Sequence, residues 1–300
     1  MKKLRTRTIE LNQSLQEKSD SRHRSQKNKG SAKMLLDDEL LLLPSKVLIY
    51  FCCALPLGAL FFCVILTLLL HGEGATRTHC GVDNFLPSTS AAIGDYTPER
   101  YIWRICIALH ASPRLLVGLI YKNFYYFSPL RPVQSKEHLY WYRLLCWFVC
   151  GLHFAEIFCL VVLSYISSTE NYVVHEGFFI GFMVFSLSYM IATLFIFDYS
   201  GRRRASTLGE KSYQYKFFLF LANVGAFLVS LYFFWRHNAY CEPGVYTLFA
   251  LCEYLVIISN VLFHGTLKLD VTDRIISLTS GRNSDWQLIT DVDTPADKHI

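Results

Sequence analysis

The residues of this chain best equipped for chemistry fall where lipid should be. Arg114, Glu156 and Glu253 each lie near the middle of an apolar stretch long enough to span a bilayer. A charge at that depth costs about 2.5–3.5 kcal/mol on insertion scales, so such side chains face one another or a wet cavity. The same stretches carry Arg104 and His110, then His153 three residues before Glu156, and finally Asn260 and His264, which share a helical stripe with Glu253. Pro113 withholds a backbone donor beside Arg114, which predicts a kink in that helix. A ligand cavity and a proton or ion pathway would both use this set. A buried ionic lock of Arg114 with Glu156 or Glu253, which fixes helix packing and binds nothing, is the blander alternative.

A second group lies in the connections at one end of the stretches: His79, Glu170, His175, Glu176, Arg236, His237, Asn238 and Glu242. Imidazole beside carboxylate transfers protons near neutral pH, and a guanidinium can hold a phosphate. Singly, each of these residues is as well explained by capping a helix end. His79, His175, Glu176 and His237 have metal-ligand chemistry without a ligand spacing, so no metal is expected. The nucleophile elbow, the phosphate-cradling Gly-rich loop and the His-Glu-x-x-His helix are all missing from the sequence.

The elements that must position these residues follow from composition. In 300 residues, 52% are hydrophobic and 18% charged, which excludes an ordinary soluble domain and predicts an all-α, polytopic membrane protein. Spans of the required length, about 20 residues, are Val47 to Leu70, Tyr101 to Tyr121, Trp141 to Ile166, Gly177 to Phe197, Tyr215 to Trp235 and Gly244 to Leu267. Lysine and arginine crowd the segment before Lys46 and the connections holding Lys122, Arg131 and Lys136, then Arg202 to Lys211. The positive-inside rule therefore predicts cytosolic termini and places the connections near 71–100, 167–176 and 236–243 on the other side. The net charge of +5 serves topology and contact with anionic lipid and requires no nucleic-acid partner. The expected organisation is a disordered basic cytosolic arm over residues 1–46, a six-helix transmembrane domain over 47–267 and a cytosolic tail over 268–300. The first span starts too late and runs too long for a cleavable signal peptide, and is expected to stay as an anchor.

Of ten cysteines, only Cys80 and Cys241 lie outside the spans, in connections assigned to an oxidising compartment. A disulfide between them is expected on that ground. The alternative is a pair of free thiols too far apart for sulfur contact.

Several strings carry a family resemblance. His79-Cys80-Gly81, Leu86-Pro87-Ser88, Trp103-Arg104, Pro113-Arg114, Glu170, His175-Glu176, Arg236-His237-Asn238, Tyr240-Cys241-Glu242, Glu253-Tyr254 and Phe263-His264 occur in this order. Together they resemble the post-GPI-attachment-to-proteins factor 2 family of glycosylphosphatidylinositol-anchor lipid remodelling. The resemblance implies reacylation of lyso-GPI-anchored proteins with a saturated acyl chain, in the Golgi membrane, with the endoplasmic reticulum as second candidate. It implies no bound cofactor, a saturated acyl donor as co-substrate, and lyso-GPI-anchored proteins, membrane lipid and other remodelling enzymes as partners. An acyltransferase of this kind would use His237 or His175 as base, oriented by Glu170, Glu176 or Glu242. Arg104, Arg114 and Arg236 would contact phosphate or oxyanion, and His110, Asn238, Glu156 and Glu253 would complete the substrate site. Two other classes stay open: a lipid-presenting subunit for a separate transferase, and a proton-linked carrier using Glu156, Glu253 and His264, although no inverted repeat is visible.

Overall fold

A computed structural model describes residues 39–128, 130–131, 135–271 and 275–279. The disorder expected of the arm and tail concerns residues that fall mostly outside this set. The chain divides into two units, Met1–Pro44 with Arg274–Ile300 and Ser45–Asp273. In the first, β1 (Glu39–Pro44) pairs antiparallel with β2 (Ile275–Thr279), Leu42 standing opposite Ser277. Glu39–Pro44 thus forms a strand within the arm whose composition suggested disorder.

Among its described residues the second unit is helical throughout its regular structure. It comprises α1 (Ser45–Thr76), α2 (Glu99–Tyr126), α3 (Lys136–Tyr165), α4 (Tyr172–Tyr199), α5 (Thr207–Tyr240), α6 (Val245–Gly265) and the short α7 (Leu267–Asp270). Among the described residues six helices are long and apolar enough to cross a membrane, α7 continuing the last of them, and each coincides with one predicted span. Several overrun the apolar stretch because polar residues such as Glu99 and Lys136 extend the helix past it. Three starts are capped by side chains: Ser135 Oγ accepts from His138 N, Asn171 Oδ1 from Val174 N, and Ser206 Oγ from Gly209 N.

Consecutive helices pack side by side and α1 closes against α6, so the bundle is a ring. An even number of crossings returns the chain to its starting end, where Ser45 Oγ donates to Val271 O at 3.0 Å. This is the basic end. The opposite end carries the disulfide.

The kink expected at Pro113 is not where the backbone departs from helix. α2 runs through Pro113 as one element, while His71 in α1 has φ −134° and ψ 16°. On either side of Pro113, α2 is held by its neighbours: His110 bonds Cys52 O of α1, and Arg114 bonds Glu156 of α3.

Lipid tails are as apolar as leucine, so close packing and hydrogen bonds must hold such a bundle together. Gly118 shows the first: a Cβ there would stand 2.6 Å from the His153 ring, so only glycine lets α2 and α3 approach this closely. α5 shows the second. Its buried residues are Ser212, Lys216, Asn223, Ser230 and His237, a polar stripe, and the apolar side chains Phe218, Leu228 and Leu231 face outward. Asn223 Nδ2 donates to Val256 O at 2.8 Å and Ser259 Oγ at 2.9 Å, joining α5 to α6.

The connection between α1 and α2 folds back into the disulfide end rather than lying over it. Pro87, Ser88, Thr89, Ala92, Ile93 and Gly94 are buried, the last three within a π-helical turn (Ala91–Asp95). Irregular backbone at this depth needs partners within the protein. They come largely from α6 and α1: Thr89 N donates to Glu253 Oε2 at 2.9 Å, Phe85 N to Thr247 Oγ1 at 2.9 Å, and Thr67 Oγ1 to Ala92 O at 3.1 Å.

Candidate functional site

The folded-back connection roofs a cavity. It encloses about 970 Å³ of non-atom space, counting its open part. Its walls are predominantly apolar, with Ile93, Ile107, Leu160, Phe179, Phe182, Met183, Phe227 and Val256 contributed by the π-turn and α2 to α6. Polar groups gather in two places. Near the disulfide end stand Thr89, Ser90, Ser167, His175 and Glu253; deeper in stand His110, Arg114 and Asn260. Glu253 and Asn260 lie two helical turns apart on α6, so these two groups are separated by about 10 Å.

At the disulfide end, His175 is fixed by its first-turn position on α4. Its Nδ1 lies 2.7 Å from Ile166 O and donates to it, which places the lone pair on Nε2. That nitrogen faces Ser90 Oγ at 3.1 Å. Ser90 is the residue that sequence reasoning missed. It sits in a connection without periodicity, and only the fold of residues 85–95 brings it to His175, 85 positions away. Its one available signal was its place beside the Leu86-Pro87-Ser88 string. Asp95 accepts from Thr169 Oγ1 at 3.2 Å in the same region, and burial raises its carboxyl above the usual range.

Around this mouth the other connection residues are mostly engaged with each other. Arg104 Nη2 donates to Glu170 at 2.8 Å, Arg100 stands 3.8 Å from the same carboxylate, and Ser167 N donates to Glu170 Oε2 at 2.9 Å. The Ser167 N–H, followed by Arg104, holds the Glu170 carboxyl below its ordinary value. Glu176 is exposed and accepts from Tyr172 OH at 3.3 Å, away from the His175 ring nitrogens.

The remaining connection candidates do not join the cavity lining. Cys80 and Cys241 form the expected disulfide. His237 is buried near it, its Nε2 3.1 Å from Thr78 Oγ1 and its ring against His79 and Tyr246. Arg236 makes a bidentate bond to Glu242, at 2.6 and 3.1 Å, and the pairing holds the Glu242 carboxyl below its usual range. Asn238 is exposed.

In the deeper layer Asn260 and His264 of the α6 stripe meet residues of α2 and α3, whereas Glu253 stands two turns away at the mouth. Arg114 Nη2 donates to Glu156 Oε1 at 2.7 Å and also contacts His264; Arg114 Nη1 lies 3.2 Å from His110 Nε2. Asn260 Nδ2 donates to the same Glu156 oxygen at 2.9 Å and to Ser186 Oγ at 2.7 Å. Glu156 side chain is fully buried and lies behind Arg114 and Asn260 rather than on the cavity surface. Glu253 shares the cavity with Arg114 but takes its hydrogen bond from Thr89. The network is incompletely paired: Arg114 Nε, His153 Nδ1, Glu156 Oε2 and His264 Nδ1 are buried without partners. His153, Glu156 and His264 offer ligand-type atoms within 4.8 Å of one another, but the Arg114 guanidinium on that carboxylate opposes a cation there.

A further buried ion pair lies toward the basic end. Lys216 of α5 meets Asp270 of α7 at 2.6 Å, and both side chains are fully buried. Asp270 also accepts from Tyr121 OH at 2.7 Å and Ser212 Oγ at 2.6 Å. Lys216 opens an apolar span and Asp270 lies beyond the last one, so span-by-span reading had no ground to join them.

A polar-mouthed apolar cavity of this kind suits a molecule with a long hydrocarbon chain and a reactive, hydrogen-bonding end. The family model described as the Frag1/DRAM/Sfk1/Cwh43P N-terminal domain matches residues 44–273. The chain is 47% identical to post-GPI attachment to proteins factor 2 of Caenorhabditis briggsae over 248 residues, covering 83% of this chain and 93% of that protein. It is 43% identical to acyltransferase PGAP2 of Xenopus tropicalis over 227 residues, covering 76% and 87%. A more distant match, 25% identical over 206 residues, takes in only 18% of protein cwh43 of Schizosaccharomyces pombe. No solved structure matches. On these likenesses, which cover most of both chains, the protein belongs to the post-GPI attachment to proteins factor 2 family.

Proposed function

We propose that this protein remodels the lipid of GPI anchors after their attachment to protein, by transferring a saturated acyl chain to the free hydroxyl of a lyso-GPI. The names of its relatives place them after GPI attachment, and two of them are called acyltransferases. The observation that carries the reading is one cavity that joins an apolar wall to a mouth holding Ser90, His175 and Glu253. The wall accommodates the hydrocarbon. At the mouth, the Nε2 lone pair of His175 can take the proton of the attacking hydroxyl, and the Ile166 carbonyl keeps the imidazole in that tautomer. The cationic rim of Arg100 and Arg104 beside Glu170 suits the anchor phosphate. Of the imidazoles considered as base, His175 is the one on the cavity surface; His237 supports the disulfide end.

The distribution of lysine and arginine puts the disulfide end on the non-cytosolic side, where the anchored protein also lies, and both termini in the cytosol. We place the protein in the Golgi membrane by family likeness, with no resident cofactor.

The test is reconstitution. Full-length protein in liposomes with lyso-GPI and a phospholipid carrying a labelled saturated chain is expected to form diacyl product, and His175→Ala to reduce the rate by about 100-fold or more, the usual worth of a general base. Undiminished transfer by His175→Ala would remove His175 from catalysis. Saturable lyso-GPI binding without turnover by the unaltered protein would make it a presenting subunit instead.

A further inference from the structure

Resting on the acyl-transfer reading, we infer that Ser90 is the nucleophile of a two-step reaction and carries the acyl chain as an ester between donor and acceptor. The geometry is that of an activated serine. Ser90 Oγ stands 3.1 Å from His175 Nε2, and His175 Nδ1 is anchored at 2.7 Å on Ile166 O. Nucleophile, base and orienting acceptor thus stand in line, the carbonyl taking the place that a carboxylate holds in other serine enzymes. Both side chains line the apolar cavity, so an acyl group on Ser90 would have its chain against Ile93, Phe179 and Phe182.

The chemistry balances without an oxidant or metal. The donor is an acyl oxygen ester or thioester. Ser90 Oγ attacks its carbonyl carbon and passes its proton to His175 Nε2. The bond from that carbon to the leaving oxygen or sulfur breaks, and His175 returns the proton to the leaving group. The free hydroxyl of the lyso-lipid then attacks the Ser90 ester, its proton goes to His175, the bond from Oγ to the acyl carbon breaks, and Ser90 is reprotonated. A direct one-step transfer would need His175 alone and would leave Ser90 as a hydrogen-bond partner.

The experiment is trapping without acceptor. Full-length protein in nanodiscs is incubated with a phospholipid bearing a deuterated acyl chain, and separately with a long-chain acyl thioester, and the peptide containing Ser90 is weighed by mass spectrometry. The expected result is a gain equal to the acyl group on Ser90 from one of the two donors, which identifies the donor class, and its loss on adding lyso-GPI. Ser90→Ala is expected to lose both adduct and transfer, by about 100-fold or more. Ser90→Cys guards against a merely misfolded variant, because its adduct would be a thioester cleaved by neutral hydroxylamine where the serine ester survives. Transfer that requires His175 but persists in Ser90→Ala would overturn the inference and leave the acyltransferase reading standing. Absence of transfer from either donor by the unaltered protein would sink that reading, and the inference with it.

Discussion

Two buried ion pairs of the helical unit, Lys216 with Asp270 and Arg114 with Glu156, solve the same physical problem in different ways. Lys216 and Asp270 form a closed set: both carboxylate oxygens of Asp270 are used, by Lys216, Tyr121 and Ser212, and Lys216 Nζ also donates to Ser212 Oγ at 2.6 Å and lies 4.5 Å from the Phe197 ring centre. Arg114 and Glu156 form an open set. Glu156 takes Arg114, Asn260 and His264 contacts on one oxygen, leaves the other without a partner, and adjoins a cavity through Arg114 and Asn260. A buried polar network that satisfies all its members behaves as a fastener, whereas one with orphaned atoms beside a void keeps capacity for a ligand, a water or a proton. The polar mouth belongs with the second kind, since Thr89 Oγ1 is buried there without a partner beside the cavity, while the partly exposed pair of Arg236 and Glu242 resembles the first in being bidentate.

The largest expected effect comes from opening the closed set. Asp270→Asn keeps the shape but turns an amide donor toward groups that are themselves donors, and leaves Lys216 charged and without its counter-ion. Removing one member of a buried pair costs about 3–5 kcal/mol, and unfolding of the purified protein in detergent should report a loss of that size. The double variant Lys216→Met with Asp270→Leu should recover most of it, because apolar replacement of a whole buried pair is often neutral. A double variant as unstable as the single one would show that the pair has a role beyond fastening α7 to α5.

Glu156→Gln removes the same charge from the open set and should cost less, about 1.5–3 kcal/mol, the worth of a hydrogen bond to a charged group. The reason is the orphan. Glu156 Oε2 lies 4.0 Å from His153 Nδ1, and His153 Nε2 is committed to Arg114 O at 3.0 Å, so the two atoms that face each other are both acceptors. A glutamine can keep its oxygen for Arg114 and Asn260 and offer its amide hydrogens to His153. The same unfolding measurement decides. An Asp270→Asn loss no greater than that of Glu156→Gln would erase the distinction between closed and open networks.

What the sequence could reveal divides along the same line. The helices and their order were legible from hydropathy, and the meeting of Arg114 with Glu156 from the cost of leaving either charge alone in a span, whereas Glu253, expected in the same company, takes its hydrogen bond from Thr89. The disulfide was legible because only Cys80 and Cys241 lie outside the spans. The reactive-looking end was not, because its chemistry depends on how an irregular segment folds. Ser90 reaches His175 only through the π-turn and the Thr89–Glu253 bond, and Arg236, which composition offers as a phosphate ligand, is taken by Glu242 six residues on. The Lys216–Asp270 pair was hidden for a related reason: it joins the edge of one span to residues past another, and neither edge carries a periodic signal.

The smallest effect expected lies at the exposed rim, where Glu170 meets Arg104. The side chain of Glu170 is 42% exposed, so solvent screening limits the pair to about 0.5 kcal/mol. Its sign with pH is nonetheless defined. Ser167 N–H and Arg104 lower the folded-state value below the ordinary 4.5, so the contribution is present in full above that pH and is lost as pH falls through the lowered value. Glu170→Gln should therefore narrow the stability difference between pH 7 and pH 3 by no more than this amount and leave the unfolding midpoint at neutral pH almost unchanged. Reacylation is the sharper readout. If the rim orients the anchor phosphate, freeing Arg104 from Glu170 should alter KM for lyso-GPI more than kcat, since the arginine touches the headgroup and not the reacting hydroxyl. An unchanged KM would assign the Arg104–Glu170 pair to the fasteners, alongside Arg236 and Glu242.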